Sequence, residues 1–452
     1  MSWLHWVSAH LASVVTTVLV VSFLARILRD KRPQGSTLAW LLAVIAIPYV
    51  GIPLYLLIGP RKQLRTRKRI YAEKEESART IEPDVARLLC ADGIRAPKDG
   101  NDVKLLETGE AAFAALLECI RAAKSSIRIS TFILADDATG RAIVGALAEQ
   151  ARAGVQVHVL IDGFFAFRAS RRRLSDLREA GAHVEVFAPI VHVPFRNSGN
   201  LRNHRKSAVF DGACAIVGGM NIAEEYMGAR PLSTRWCDLC ALVRGPAVAD
   251  IADVFCSDWE FVTNAPLAPV TSAPGGGSRI QIVPSGPDSA ADSFYEAILS
   301  ACYAARERVW IATPYFVPDD ALTRALCAAA HRGLDVRVIV PLRSNHRVAD
   351  LAGGVSLRQV DAAGGRILTF PRMIHAKVVI VDDTLGVVGS ANFDMRSLFL
   401  DYELSLFLYA GGDITALAAW FERMARTCGA LAKPSRTRAL AEDVGRLFSP
   451  LV

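Results

Sequence analysis

The first 25 residues of the chain contain no Asp, Glu, Lys or Arg, and charged residues make up only 21% of its 452 positions. No acidic side chain occurs between Asp30 and Glu73, and no cysteine before Cys90. With only 32 Gly and 21 Pro against 52% hydrophobic residues, the composition excludes a disordered, collagenous or low-complexity chain. Gly-rich loops of nucleotide-binding type are missing, and no His/Cys/Asp cluster has metal-ligand spacing, so neither a nucleotide nor a metal cofactor is expected. Nine scattered cysteines, odd in number and mostly in apolar runs, exclude a disulfide scaffold and read as reduced thiols. The lone Cys237-x-x-Cys240 lacks a second ligand pair.

The charge that is present is unevenly placed. The net charge is +7. Residues 1–70 hold ten basic side chains and one acid, +9, whereas residues 71–452 carry −2. The basicity is therefore a property of the N-terminus, which argues against nucleic acid as the partner. There, Val7–Leu24 and Leu38–Ile58 are uncharged apolar runs of about 20 residues, the length that crosses a bilayer as helix. Two membrane spans are expected within residues 1–60, the second with Pro48, Gly51 and Pro53 placed to kink it or leave it partly interfacial, and the start MSWLHW has no basic region of a cleaved signal. Arg26, Arg29, Lys31 and Arg32 follow the first run, and Arg61, Lys62, Arg65, Arg67, Lys68 and Arg69 the second. Such flanks suit anionic lipid, and the larger one favours a hairpin of two spans with both chain ends cytoplasmic.

Residues 61–100 read as a basic and polar connector. Beyond it the pattern strand–helix–strand recurs: 125–134, 138–152 and 155–162, then 307–317, 319–332 and 334–341. Apolar strands alternating with helices imply an α/β sandwich. A Pro/Gly/Ser-rich linker, 264–278, separates unit 1 (101–263) from unit 2 (279–432), and residues 433–452 form a tail whose Leu440, Val444 and Leu447 would share one helix face against the core.

Each unit contains His-x-Lys, four residues, Asp, six residues, then Gly-Gly/Ser-x-Asn. His204, Lys206, Asp211 and Asn221 match His375, Lys377, Asp382 and Asn392, all offset by 171 residues. One H-x-K-x4-D is weak; two in register are not accidental. His and Lys two residues apart share a face of extended chain, Asp211-Gly212 and Asp382-Asp383 supply a turn, and a second strand ends at glycines. Two such hairpins brought together offer two ammonium groups and two amides to a phosphoryl group, one imidazole to attack phosphorus and another to protonate the leaving oxygen. Asp238 and Glu403 open the following strands and are placed to accept from a histidine Nδ1–H, with Glu224 and Glu225 as rivals at the first site. Arg168, Arg171–Arg173, Arg196, Arg202 and Arg205 form a local basic cluster near the first motif suited to headgroups, and 164–167 (FFAF) and 190–195 (IVHVPF) are apolar runs beside it.

These residues resemble the signature of the phospholipase D superfamily, and RNHRKSAVFDG, GGMNIAEEY, TPYFVPDD and GSANFDMRS are similar to its bacterial cardiolipin synthases. The resemblance implies a pair of phospholipase D-like α/β units sharing one active site behind an inner-membrane anchor. It implies that His204, Lys206, Asp211, His375, Lys377 and Asp382 are catalytic, and that Asn221, Asn392 and Ser390 join the lysines on the phosphate. It further implies phosphatidylglycerol condensed to cardiolipin and glycerol through a phosphohistidine on His204, with His375 as acid and base; a nuclease of the same superfamily is the reading that the −2 charge of residues 71–452 argues against. Gly219 departs from the superfamily Ser, leaving no hydroxyl to match Ser390. Acceptor choice (a second lipid or water) and oligomeric state stay open.

Overall fold

The structure, a computed structural model, describes residues 3–29, 34–59, 84–188, 201–446 and 449. Lys31, Arg32, Arg61–Arg69, Arg196, the run 190–195 and Leu447 lie outside them.

Seventeen strands belong to the described chain. Unit 1 supplies β1 (Lys98–Leu106), β2 (Ser126–Thr131), β3 (Gln156–Asp162), β4 (His183–Phe187), β5 (Ser207–Phe210), β6 (Cys214–Gly218) and β7 (Cys240–Arg244). Unit 2 supplies β8 (Ser278–Ser285), β9 (Arg308–Ala312), β10 (Phe316–Val317), β11 (Asp335–Pro341), β12 (Arg366–Phe370), β13 (Val378–Val381), β14 (Leu385–Gly389), β15 (Phe393–Asp394), β16 (Glu403–Leu408) and β17 (Gly429–Ala430). Fifteen join one sheet, β17-β12-β11-β9-β13-β14-β16-β8-β1-β7-β6-β5-β2-β3-β4; β10 and β15 pair apart. Read outward from the antiparallel β8–β1 junction, the two arms repeat one another as far as a parallel trio, β2-β3-β4 or β9-β11-β12, and the unit 2 arm adds the antiparallel β17 beyond it.

The sequence explains the repeat locally. Parallel neighbours need a crossover, and the helices Ala138–Arg152 and Asp320–His331 provide it. Asp137 and Asp319 cap them equivalently, accepting from Gly140 N at 2.9 Å and Leu322 N at 2.9 Å. Gly154 (φ 90°) and Gly333 (φ 86°) end both in the left-handed conformation that lets the chain turn into the next strand. Strand interiors are apolar on both sides because helices cover the faces. One core cluster interleaves Val209, Val217 and Leu239 of unit 1 with Val378, Val388 and Leu404 of unit 2, so the two arms share a core.

Two expectations are corrected. The second apolar run is not one continuous helix: it breaks at Ile47 into α2 (Gln34–Ala46) and α3 (Pro48–Ile58), beside a single long helix, α1 (Trp3–Arg29). Only α1 is long and apolar enough to cross a membrane among the described residues. Pro48, with no N–H to donate, stops α2 and starts α3 at its favoured first position. The tail helix Arg436–Arg446 packs the other way round from its expected apolar face: Leu440 and Val444 are exposed, while Glu442 is buried between Arg358 and Arg438, and Gly445 lies on Leu351.

Candidate active site

Both motif hairpins form, paired Ser207↔Val217 to Phe210↔Cys214 and Val378↔Val388 to Val381↔Leu385. His204 and Lys206, like His375 and Lys377, lie just before the first strand of each hairpin and are buried. The segment carrying each histidine is tied to the other unit: Asn203 bridges to Tyr402, with His204 N donating to Tyr402 O at 2.9 Å, and Ile374 bridges to Cys237, with His375 N donating to Cys237 O at 2.6 Å. Glu403 and Asp238 are the next residues on those partner segments.

The carboxylates therefore cross. His204 Nδ1 donates to Glu403 Oε1 at 2.9 Å and His375 Nδ1 to Asp238 Oδ2 at 2.7 Å, so each imidazole is oriented by a carboxylate of the other half and neither half holds a complete set. The rivals are elsewhere: Glu225 binds Arg168, and Glu224 offers its backbone N–H to Asp137 and its carbonyl to Arg235. Lys206 Nζ donates to His204 O at 2.6 Å, and Lys377 Nζ donates to His375 O and lies 3.1 Å from His375 Nε2. Phe132 stands edge-on to His204 at 4.9 Å, and Tyr226 and Trp236 wall His375 at 5.0 and 5.4 Å.

Burial dominates the electrostatics. It pushes His204 well below the usual imidazole range, helped by the ammonium groups of Lys206 and Lys377, and takes His375 to about 3 with Lys377 adding to it. The lysines fall for the same reason, Lys206 to about 7 and Lys377 to about 8, each lowered mainly by desolvation. Burial raises Glu403 to about 7. Asp238 is pushed up by burial, but His375, Lys377 and the Leu239 N–H outweigh it and leave its carboxyl below the usual range. Each histidine feels the lysine of the opposite half, so the two sets share one electrostatic site. An anion between the lysines would relieve the crowding of positive charge, which suits a phosphodiester.

The halves differ where the sequence differs. Ser390 Oγ donates to Glu403 Oε2 and accepts from Leu404 N at 2.9 Å, so the hydroxyl expected on the phosphate is instead spent on the carboxylate that orients His204. At the matching position Gly219, an added Cβ would run into the Asp238 carboxylate, which occupies the space a serine would fill. Asn221 is held by Ile133 N on its Oδ1 at 3.1 Å, whereas Asn392 Oδ1 is buried with no hydrogen-bond partner among the described residues.

Asp211 and Asp382 are not brought to the site. They occupy turns at the far end of β5 and β13, about 16 Å along extended chain from their lysines. Both adopt positive φ, 54° and 50°. Asp211 accepts from Lys124 N, Ser125 N and Ser126 N at 2.7–2.8 Å, and Asp382 from Arg306 N, Glu307 N and Arg308 N at 2.8–2.9 Å, each fastening its hairpin to the start of the neighbouring strand. Four of the seven residues of the basic cluster are paired within the protein, Arg202 and Arg205 in its interior. Arg168 pairs with Glu225 and Arg173 with Asp136. Arg202 donates to Ala188 O, and Arg205 is buried on Asp258 at 2.7 Å while donating to Glu403 O at 3.0 Å. Arg205 thus buttresses the strand that carries Glu403, a role no sequence spacing signalled. The aromatic walls were also illegible: Phe132 follows β2 with no motif around it.

The family described as "Cardiolipin synthase, PLD-like domain" matches residues 116–259 and 298–425, and a phospholipase D-nuclease N-terminal family matches residues 18–60. The chain is 31% identical over 481 aligned residues to a cardiolipin synthase of Halalkalibacterium halodurans, covering 100% of this chain and 95% of that one. It is 34% identical to cardiolipin synthase A of Pseudomonas syringae over 94% of both. Among solved structures, the phosphatidylserine synthase of Haemophilus influenzae superposes with a TM-score of 0.62 at 15% identity, over 82% of this chain and 100% of that one, a likeness of fold.

Proposed function

This chain belongs to the cardiolipin synthase family of phospholipase D-like phosphatidyl-transferring enzymes, and from that premise we propose that it condenses two phosphatidylglycerol molecules into cardiolipin and glycerol through a phosphohistidine. One observation carries the reading: two buried histidines, each oriented through Nδ1 by a carboxylate of the opposite unit, with a lysine beside each. His204 Nε2 attacks phosphorus, the bond from phosphorus to the glycerol oxygen breaks, and His375 gives that oxygen its proton. His375 then takes the proton of a hydroxyl on the second phosphatidylglycerol, whose oxygen attacks the phosphohistidine and releases His204.

The asymmetry of the carboxylates supports this division of labour. Ionised Asp238 favours an imidazolium on His375, as an acid requires, and a phosphate bound beside Lys377 would offset the ammonium that now holds His375 low. Glu403, near 7, does less to charge His204, which leaves it neutral and nucleophilic. Lys206 and Lys377, with Asn221 and Asn392, hold the phosphate. Asp211 and Asp382 serve by positioning the hairpins. Burial of both imidazoles, 9% and 4% exposed, restricts the access of bulk water to the phosphohistidine. The phosphatidyl donor is bacterial membrane lipid, with residues 1–60 as anchor and the units 101–263 and 279–432 on the cytoplasmic side of the inner membrane.

The test incubates detergent-solubilised full chain with labelled phosphatidylglycerol. Cardiolipin with released glycerol supports the reading, and phosphatidic acid would replace it with a hydrolase. A phospho-adduct trapped on His375 and absent from His204 would reverse the two roles, and substantial turnover by His204→Ala would sink the mechanism.

A further inference from the structure

The helices α2 and α3 are each too short to cross a bilayer. Thirteen and eleven residues give about 20 and 16 Å of helix, against a hydrocarbon core of about 30 Å. Nor do they stack end to end into one longer span. The chain reverses at Ile47–Pro48: an added Cβ at Gly51 would lie 2.5 Å from Ala43 O, and Tyr55 packs edge-on to Trp40 at 5.3 Å, fifteen residues earlier. In a continuous helix those two rings would be over 20 Å apart.

This hairpin lies along the second half of α1. Val44 and Tyr55 are buried with Ile27, against Val20, Phe23 and Leu24. Its tip reaches the middle of the long helix, where Tyr49 OH meets Thr16 Oγ1 at 3.3 Å. Thr16 is thirteen residues before Arg29, about 20 Å of helix, which equals the length of α2; the first half of α1 runs on alone beyond the tip.

The reversal pairs several of its own backbone donors, as a bilayer favours. Pro48 has no N–H, Ile47 N donates to Ala43 O at 3.1 Å, and Val50 N and Gly51 N donate to Ile47 O at 3.0 and 2.7 Å. Outward, Val14, Val18, Leu42, Ile45, Val50 and Leu54 stand 42–59% exposed, so every helix turns large apolar side chains away from the other two. Such a surface fits lipid chains and not water.

We propose that α1 alone crosses the membrane and that α2–α3 is a re-entrant hairpin that dips to mid-bilayer and returns to the side it came from. The charge distribution then becomes consistent. A pair of full spans would put Arg26–Arg32 and Arg61–Arg69 on opposite faces. The re-entrant path puts all ten N-terminal cations on one face, together with everything that follows residue 60, and leaves the uncharged start of the chain on the other. The anchor would thereby clamp the protein to one anionic leaflet at two adjacent basic stretches. This inference goes beyond the transferase reading and does not depend on it.

The experiment places one new cysteine at a time, Ser2→Cys, Ser36→Cys or Gln63→Cys, in the full chain. Membrane-impermeant maleimide is applied to spheroplasts and to inverted membrane vesicles, and the label is mapped to N-terminal peptides by mass, away from the nine native cysteines. The re-entrant path expects Ser2→Cys to label only in spheroplasts, and Ser36→Cys and Gln63→Cys only in inverted vesicles. Labelling of Ser36→Cys on the side opposite to Gln63→Cys would overturn it in favour of two spans. Labelling of all three on one side would overturn it by removing the crossing of α1. The readout needs no turnover, so an inactive enzyme and a wrong topology are separable.

Discussion

Replacing Asp211 separates a structural carboxylate from a catalytic one. Its side chain accepts from three successive peptide N–H groups and the Ser125 hydroxyl, at 2.7–2.8 Å. Burial pushes its pKa up, but those bonds outweigh it and leave the carboxyl below the usual range. The turn is partly exposed, so water replaces much of what is lost and each of the three hydrogen bonds from peptide N–H groups is worth about 0.7 kcal/mol, below a buried charge-assisted bond because of solvent screening. Asp211→Ala also puts a Cβ without a side-chain acceptor at φ 54°, costing about 1 kcal/mol more. The total is about 3 kcal/mol, which in a shared-core body of roughly 350 residues lowers the apparent melting temperature by about 4 °C. Asp211→Asn keeps one acceptor and tolerates the left-handed turn, so about 1 kcal/mol is expected. Because the turn lies about 16 Å from Lys206, the folded fraction of either variant should keep kcat within about tenfold of the parent, measured well below the melting point by labelled-lipid turnover. An Asp211→Asn protein that melts like the parent yet loses turnover as completely as His204→Gln would refute the reasoning and return the carboxylate to the chemistry.

Glu403→Gln and Asp238→Asn should each retain the fold and lower kcat by about 10²–10⁴, since an amide favours the wrong imidazole tautomer; turnover within threefold of the parent for both would discard the orienting role. The free enzyme needs both ammonium groups to hold phosphate, and they are charged below and neutral above their lowered pKa values. Hence kcat/KM should fall as pH rises through about 7 to 8, and a flat profile through that range and a unit beyond it would contradict the assignment. Arg205→Met leaves Asp258 buried without its guanidinium and should cost about 3–5 kcal/mol, read as a lower melting temperature or loss of soluble protein; an unchanged melt would show that the network contributes nothing.

The amino-acid sequence by itself determined the duplication, the strand–helix–strand units, the two hairpins and the two His-x-Lys sets. All of these rest on local periods, turns and caps that a chain carries wherever it goes: Asp137 and Asp319 cap, Gly154 and Gly333 stop, and Asp-Gly and Asp-Asp turn. It also determined where the charge sits. Only the tertiary structure decided which carboxylate serves which histidine, because Glu403 reaches His204 across 199 residues through a bridge between the two units. The same holds for Ser390, spent on Glu403, and for Arg205 and Arg202, drawn from an expected binding cluster into buried pairs: a side chain's type names what it can bind, but packing decides what it faces. The second apolar run shows the limit most plainly. Its composition satisfies the requirement for a span, yet Pro48 and the close approach at Gly51 let the helix reverse, and hydropathy registers how apolar a segment is without registering which way it runs.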